Sequence, residues 1–251
     1  MRLLAFDTST EHLSVAVQHG ARRWQHQGPG GAQASAALIP AVQALLAQAG
    51  LALGEVQAIV FGRGPGSFTG LRTACAVAQG LAWGAGLPVL PVDTLQAVAQ
   101  AARASHAPQA ERLHVLALLD ARMNEIYSAP WVWQHGQWQA LAAPRVGPAG
   151  ALAVPQAVPQ PDPQPDMAAG AAPAPWLLAG NVFDLPALAL PPALAACPRV
   201  PALPSASALL DLAPALWAAG AAVPPEQALP LYIRDKVAQT TAERLAQGGV
   251  R

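Results

Sequence analysis

Residues 58–72 read Ala58-Ile59-Val60-Phe61-Gly62-Arg63-Gly64-Pro65-Gly66-Ser67-Phe68-Thr69-Gly70-Leu71-Arg72, and the order of residue types in that stretch decides the fold. A β-branched apolar run stops at Gly62. Three glycines and a proline then shape a tight loop that exposes backbone, because glycine tolerates positive φ while Pro65 presets its own φ and lacks an N–H. Ser67 and Thr69 are N-cap residue types ahead of a helical pattern from Gly70 to Trp83. The stretch therefore reads as strand, glycine loop and helix N-terminus.

Such a junction suits anions, since backbone N–H groups and the positive end of a helix dipole point at one place. The spelling argues against the known phosphate signatures. A Walker loop requires Gly-Lys-Ser/Thr at the helix start, where Gly66-Ser67-Phe68 stands; a dinucleotide fingerprint counted from Gly62 meets Ser67 at its third glycine. A nucleophile elbow requires Gly-x-Ser-x-Gly, but Ser67 sits in Pro65-Gly66-Ser67-Phe68-Thr69. For Gly62, Arg63, Gly64, Pro65, Gly66, Ser67, Thr69 and Gly70 a loop shaped for packing or for a partner is the preferred reading, and nucleotide contact is the alternative.

Composition bounds the rest. The chain has 251 residues, enough for two lobes with their own cores, and is 53% hydrophobic with 11% charged residues. Glycine, proline or polar residues interrupt the apolar windows, and the N-terminus reads directly as a strand, so a cytoplasmic protein without membrane contact is expected. Cys75 and Cys197 lack metal-ligand spacing and are expected as buried free thiols. Formal charge is balanced, with no Lys/Arg run, which argues against tight nucleic-acid binding by this chain alone.

In chain order, strands are expected at Arg2–Asp7, Leu13–Gln18 and Ala21–Gln27, forming an antiparallel meander. A first helix spans Ala34–Ala49, closed by Gly50; Pro40 either starts it or bends it. The strand Gln57–Phe61, the glycine loop, the second helix, a strand at Val89–Val92 and a third helix at Thr94–Ala104 follow. From Arg112 the pattern repeats, with strands at Leu113–Asp120, Glu125–Trp133 and Gln137–Ala140. Leu-Leu-Ala-Phe-Asp at 3–7 rhymes with Leu-Ala-Leu-Leu-Asp at 116–120. This duplication predicts an α/β fold of two ribonuclease-H-like lobes, as in actin, sugar kinases and Hsp70, divided at 1–104 and 105–251.

The second copy is degraded. More than half of the 26 prolines fall between Pro144 and Pro204, and a Pro/Ala-rich insertion covers about 144–175, its core at 155–175 expected to be extended or disordered on the surface. Trp176–Asn181 reads as a short buried strand, Ser205–Ala219 as a helix capped by Ser205, and Pro230–Asp235 as a strand or tail latched onto a lobe ahead of a polar C-terminal helix or tail.

Chemistry-bearing residues are few. Asp7 and Asp120 each end the first strand of a lobe, where phosphotransferases of this architecture hold acids facing the cleft. Thr8-Ser9-Thr10 follows Asp7, however, where those enzymes carry glycine, and Arg122 offers Asp120 an ion-pair partner. His12, His19 and His26 are expected in solvent, and no histidine pair has metal-ligand spacing. Trp131 and Trp133 read as sheet packing. On the second helix Leu71, Cys75, Ala78 and Leu81 or Ala82 should face the sheet. The opposite side presents Arg72, Ala76, Gly80 and Trp83, small residues between aromatic and arginine anchors, which suits close helix packing with a partner.

Four segments together, Leu3–Glu11, Gly62–Arg72, Asp120–Tyr127 and Pro230–Arg234, make the chain resemble the bacterial TsaB (YeaZ) family over nearly its whole length. The resemblance implies an actin-like fold with a reduced second lobe. It further implies a noncatalytic scaffold that pairs with the catalytic paralogue TsaD, joined by the ATPase TsaE, in the complex that moves threonylcarbamoyl onto adenosine 37 of ANN-decoding tRNAs. Contact with tRNA would come through the complex. No cofactor is implied for the chain itself, which leaves room for ATP or ADP at an interface of the assembly and for a homodimer of the isolated chain. The paralogue carries His-x-x-x-His after its next strand; here Thr94 and Val98 occupy those positions, so metal-dependent transfer is not expected. The partner interface implied is Arg72, Thr73, Ala76, Gly80 and Trp83 of the second helix with Leu38, Val42 and Leu45 of the first. An ATP-dependent phosphotransferase using Asp7 or Asp120 is the alternative.

Overall fold

The computed structural model describes residues 1–152, 176–185 and 188–234. The core of the predicted insertion and the chain beyond Arg234 lie outside the described residues. Strands β1 (Arg2–Asp7), β2 (His12–His19) and β3 (Arg22–Pro29) form the expected meander, and β4 (Ala58–Gly64) and β5 (Val89–Asp93) add parallel to β1, giving the order β3-β2-β1-β4-β5. The second sheet contains β6 (Arg112–Asp120), β7 (Glu125–Gln134), β8 (Gln137–Ala140), β9 (Arg145–Pro148), β10 (Leu177–Gly180) and β11 (Arg199–Pro201). Its order β8-β7-β6-β10-β11 repeats that of the first sheet, with β9 sharing the β7 edge. The rhyme between residues 3–7 and 116–120 is thus a rhyme between equivalent central strands.

Both faces of β1 are buried, which is why it reads as a continuous apolar run. Leu4 and Phe6 point to one side, where helices α1 (Ala34–Ala49) and α2 (Phe68–Ala85) cover the sheet with Leu38, Val42, Leu45, Ala74, Cys75 and Ala78. Helix α1 runs unbroken through Pro40 from Ala34 and ends at left-handed Gly50. With the turn before it, Gly31–Ala49 is long and apolar enough by length and composition to cross a membrane, but here its apolar stripe is spent on the sheet. Cys75 is buried beneath α2, and burial pushes its thiol up to about 12, which makes it a packing residue. Cys197 is only half-buried.

Leu3 and Ala5 point to the other side of the sheet, and the helix that covers them comes from the far end of the chain. Helix α5 (Ala206–Ala218) lays Ala206, Leu209, Leu210 and Ala213 against them. Ser205 caps α5 as expected, and the buried Ser14 hydroxyl of β2 accepts from the Ala206 N–H at 2.9 Å. Helix α3 (Thr94–His106), which follows the first sheet, packs Leu95, Val98, Ala99 and Ala102 on Val115, Ala117 and Leu119 of the second. The two lobes therefore share helices, and a short α4 (Pro192–Ala195) is the remaining α-helix among the described residues.

The glycine loop locks into the turn after β1. A Cβ on Gly62 would lie 1.8 Å from Asp7 Oδ2, one on Gly66 2.6 Å from the Ser9 carbonyl, and one on Gly70 1.9 Å from the Thr8 carbonyl. Three glycines at intervals of four thus admit three consecutive residues of the turn. Hydrogen bonds then fasten the fit: the Ser67 N–H donates to the Ser9 carbonyl at 2.7 Å, and the Thr8 hydroxyl to the Gly70 carbonyl at 2.7 Å. Gly64, at φ 119°, makes equal room for the Leu231 carbonyl, and its N–H donates to the Thr94 hydroxyl at 3.0 Å. The Gly64–Pro65 peptide is cis.

Asp7 pays for its place inside this lock. Its Oδ1 accepts from the Ser9 N–H and hydroxyl, at 2.9 and 2.7 Å, while its buried Oδ2 has no partner. Burial raises the carboxyl pKa, and the two Ser9 hydrogen bonds only partly oppose that rise.

Two predictions follow from the lock. Gly70→Ala must displace backbone and should cost about 3 kcal/mol in urea unfolding. Gly80→Ala, in the same helix but facing open space, should gain about 0.5–1 kcal/mol from helix propensity; equal effects at both sites would contradict the lock. For Asp7, a folded-state pKa above the unfolded value means that the stability it contributes is complete below the unfolded pKa, about 3.9, and is lost as pH rises through the raised value. The Tm of the native chain relative to Asp7→Asn should therefore fall as pH rises above about 4, measured by circular dichroism. A rise over that range would mean that the Ser9 hydrogen bonds outweigh burial.

Candidate functional site

Two surfaces deserve the name of site: the cleft between the lobes and the outer face of α2. The cleft encloses about 430 Å³. Its first-lobe wall is the β1–β2 turn from Ser9 to Glu11 with Pro65, Gly66, Ser67 and Phe68 of the glycine loop; its second-lobe wall is the β6–β7 turn with Asn181; residues 231–234 close one side.

Of the two acids expected there, only Asp120 lines the cleft. Its backbone N–H donates to Asn181 Oδ1 at 2.9 Å. Its own carboxylate is committed to Arg122, accepting from the backbone N–H at 2.8 Å through Oδ1 and pairing with the guanidinium at 3.3 Å through Oδ2. Arg122 reaches on across the cleft to Glu11. Asp7 is a correction: at 1% exposure it lies beneath the turn, enclosed by Gly62 and Ser9, and contributes no wall to the cleft. An acid closing a central strand has the same sequence position whether it faces substrate or supports a turn.

The loop amides that would cradle a phosphate are partly spent, Gly64 on Thr94 and Ser67 on Ser9. Thr94 is fully buried in that role, and Val98 is fully buried in the core between α3 and the second sheet. Among the described residues no group of three or more His, Cys, Asp or Glu could hold a metal ion. His12, His19 and His26 are exposed, as expected. Trp131 packs in the second-lobe core and Trp133 meets Trp138 at a tilt of 60° with ring centroids 5.4 Å apart, with Arg103 over the Trp133 ring at 3.9 Å.

On α2, Ser67 caps the helix through its side chain, and Cys75, Ala78 and Ala82 face the sheet, whereas Leu71, expected with them, is buried beside Gly64 at the cleft. Arg72, Ala76, Gly80 and Trp83 are exposed and Thr73 is half-buried, its hydroxyl donating to the Thr69 carbonyl at 3.0 Å. Trp83 is 63% exposed, so it does not fold back on its own lobe. Arg72 is less free than its position suggests: its guanidinium lies 3.9 Å over the Phe68 ring and donates to Tyr232 Oη at 3.2 Å.

The α1 part of the expected interface needs correction. Leu38, Val42 and Leu45 are 0%, 1% and 3% exposed because their helical spacing forms the stripe that faces the sheet. Outward residues of that helix include Ile39, 42% exposed, and Gln43, which with Leu53 and Leu81 border a groove of about 370 Å³ whose floor includes Val42. Sequence reading also missed Tyr232 and Arg234 as cleft residues. The signal for them was an aromatic and an arginine in a segment otherwise leading into a polar tail.

Comparison with known proteins places this geometry. A family model described as TsaD, tRNA N6-adenosine threonylcarbamoyltransferase, matches residues 26–164. The tRNA threonylcarbamoyladenosine biosynthesis protein TsaB of Haemophilus influenzae is 47% identical over 127 residues, 51% of this chain and 52% of that protein; its Escherichia coli counterpart is 38% identical over 152 residues, 58% and 64%. The matched region thus spans between half and two thirds of the length of these curated relatives. The solved structure of YeaZ from Pseudomonas aeruginosa aligns over 92% of this chain and 99% of its own, with a TM-score of 0.76 and 39% identity. With its glycine loop, duplicated actin-like lobes and this similarity over almost the full length of a solved relative, the chain belongs to the TsaB (YeaZ) family.

Proposed function

We propose that the chain is a noncatalytic dimerisation subunit in the synthesis of threonylcarbamoyladenosine on tRNA, supporting a catalytic TsaD-type paralogue that transfers threonylcarbamoyl to adenosine 37 of ANN-decoding tRNAs. The pathway comes from the names of the relatives, which are tRNA threonylcarbamoyladenosine biosynthesis proteins. One observation carries the noncatalytic part. The two positions at which the paralogue has metal-binding histidines hold Thr94, whose hydroxyl is used by the Gly64 N–H, and Val98, which is core. Catalytic ligands at those positions would need side chains free to face a substrate, and these two are committed to the fold. The phosphotransferase alternative draws no support from Asp7, which is enclosed, or from Asp120, whose two oxygens are engaged by Arg122.

The outer face of α2 is the docking surface in this reading. A largely exposed Trp83 beside the small residues Ala76 and Gly80 supports close helix-to-helix approach with an aromatic anchor. Ile39 and Gln43 of α1 extend the face. The same surface serves a homodimer of the isolated chain, TsaE joins through the assembled pair, and any ATP or ADP belongs to an interface of the complex. Contact with tRNA is made through the partner, in the cytoplasm.

The test is Ala76→Arg. In the free chain the substitution is at an exposed position and should change stability by no more than about 0.5 kcal/mol. In the complex it introduces steric overlap and an unpaired buried guanidinium, which together should cost on the order of 3–5 kcal/mol and abolish the heterodimer in size-exclusion chromatography. Complex formation equal to the native chain would move the interface elsewhere.

A further inference from the structure

Residues 231–234 form neither strand nor helix, yet each of them is held, and the holding passes from one lobe to the other. The Leu231 N–H donates to the Arg63 carbonyl at 2.7 Å, over a Gly64 that leaves room for nothing larger. Tyr232 stacks on Phe68 with ring centroids 5.4 Å apart and receives the Arg72 hydrogen bond. Ile233 packs against the core beneath α3. Arg234 pairs with Glu125 and donates to the Met123 sulfur at 3.7 Å, both on the second lobe.

The turn that Arg234 grips is strained. Arg122, Met123 and Asn124 have φ of 62°, 57° and 60°, three consecutive non-glycine residues in the left-handed region. Such conformations are uncommon for residues that carry a Cβ and persist only where surrounding contacts over-determine them. Within the turn there are two closing hydrogen bonds, Ala121 N–H to the Glu125 carbonyl and Glu125 N–H to the Arg122 carbonyl, each 3.0 Å. At its near end Asp120 accepts from the Arg122 N–H at 2.8 Å and pairs with its guanidinium; farther off, Glu11 of the first lobe holds Arg122, and Arg234 holds both Glu125 and Met123.

The geometry points to a clasp: residues 231–234 hold the two lobes at the observed cleft width and keep the 122–124 turn in its left-handed conformation, so that lifting them relaxes the turn and opens the cleft. A passive tail would need no cleared backbone beneath it and would not anchor in a strained turn of the opposite lobe. Relaxation of the turn moves the Arg122 guanidinium away from Glu11, which removes the ionic bridge across the cleft mouth. The clasp thus gates the cleft, whatever partner the α2 face takes.

Hydrogen–deuterium exchange on the full chain tests this. In a Tyr232→Ala/Arg234→Ala variant the Leu231 amide should exchange at least tenfold faster, and the Ala121 and Glu125 amides should follow by a similar factor, while α1 and β2 keep their protection. The single variant Arg234→Gln, which leaves Tyr232 on Phe68, should show the same pattern at smaller amplitude and serves if the double variant fails to fold. Faster exchange at Leu231 with an unchanged turn would overturn the clasp, leaving residues 231–234 as a tether only. Unchanged exchange at Leu231 would show that these side chains do not hold the segment, and the clasp would be overturned.

Discussion

Everything in the first lobe depends on how closely the loop after β4 approaches the turn after β1. The central strands β1 and β4 run parallel in register, Leu3 beside Ala58 through Phe6 beside Phe61, and both must leave the sheet at the same end. Two loops starting side by side compete for one volume. Side chains are removed from one of them, at Gly62, Gly66 and Gly70, so that Asp7, Thr8 and Ser9 of the other can occupy it. Here the space is filled by protein, and the amides of Gly64 and Ser67 are already hydrogen-bonded. A loop built this way fixes the start and direction of α2, and with it the outward face carrying Ala76, Gly80 and Trp83.

Local pattern carried much of the architecture. Each predicted strand and helix among the described residues forms within a few positions of its expected bounds, because apolar periodicity and glycine or serine punctuation act over short distances. The duplication was readable for the same reason: the residues that end β1 and β6 obey the same constraint. The exchange of α3 and α5 between lobes was not readable. An amphipathic helix announces that it has a buried stripe and says nothing about which sheet receives it, so Leu209 and Leu210 could not be assigned to the first sheet from spacing alone.

The same limit explains the mistakes at the site. Leu38, Val42 and Leu45 mark one stripe of α1, and whether a stripe meets its own sheet or a partner is a tertiary matter; the sheet takes it, and the outward side carries Ile39 and Gln43 among others. On α2 the opposite side, Arg72, Ala76, Gly80 and Trp83, lacks the aliphatic run of a core stripe, so its outward orientation was legible. Asp7 was misplaced because strand position does not report depth, although the fourfold spacing of glycines facing it carried the information. The Asp120–Arg122 pair, separated by two residues, was within reach of local reasoning. Contacts of the kind made by Arg234 with Glu125, 109 positions apart in the chain, lie beyond it.

In this chain the space beside the glycine loop is taken up by internal packing. Isothermal titration of the isolated chain with ATP and magnesium puts that packing to the most direct test. A glycine loop filled by its neighbouring turn predicts no saturable heat at micromolar nucleotide. Binding with a Kd near 1 μM, about −8 kcal/mol, would mean that the loop can still open to phosphate and would contradict the reading of it as a packing device.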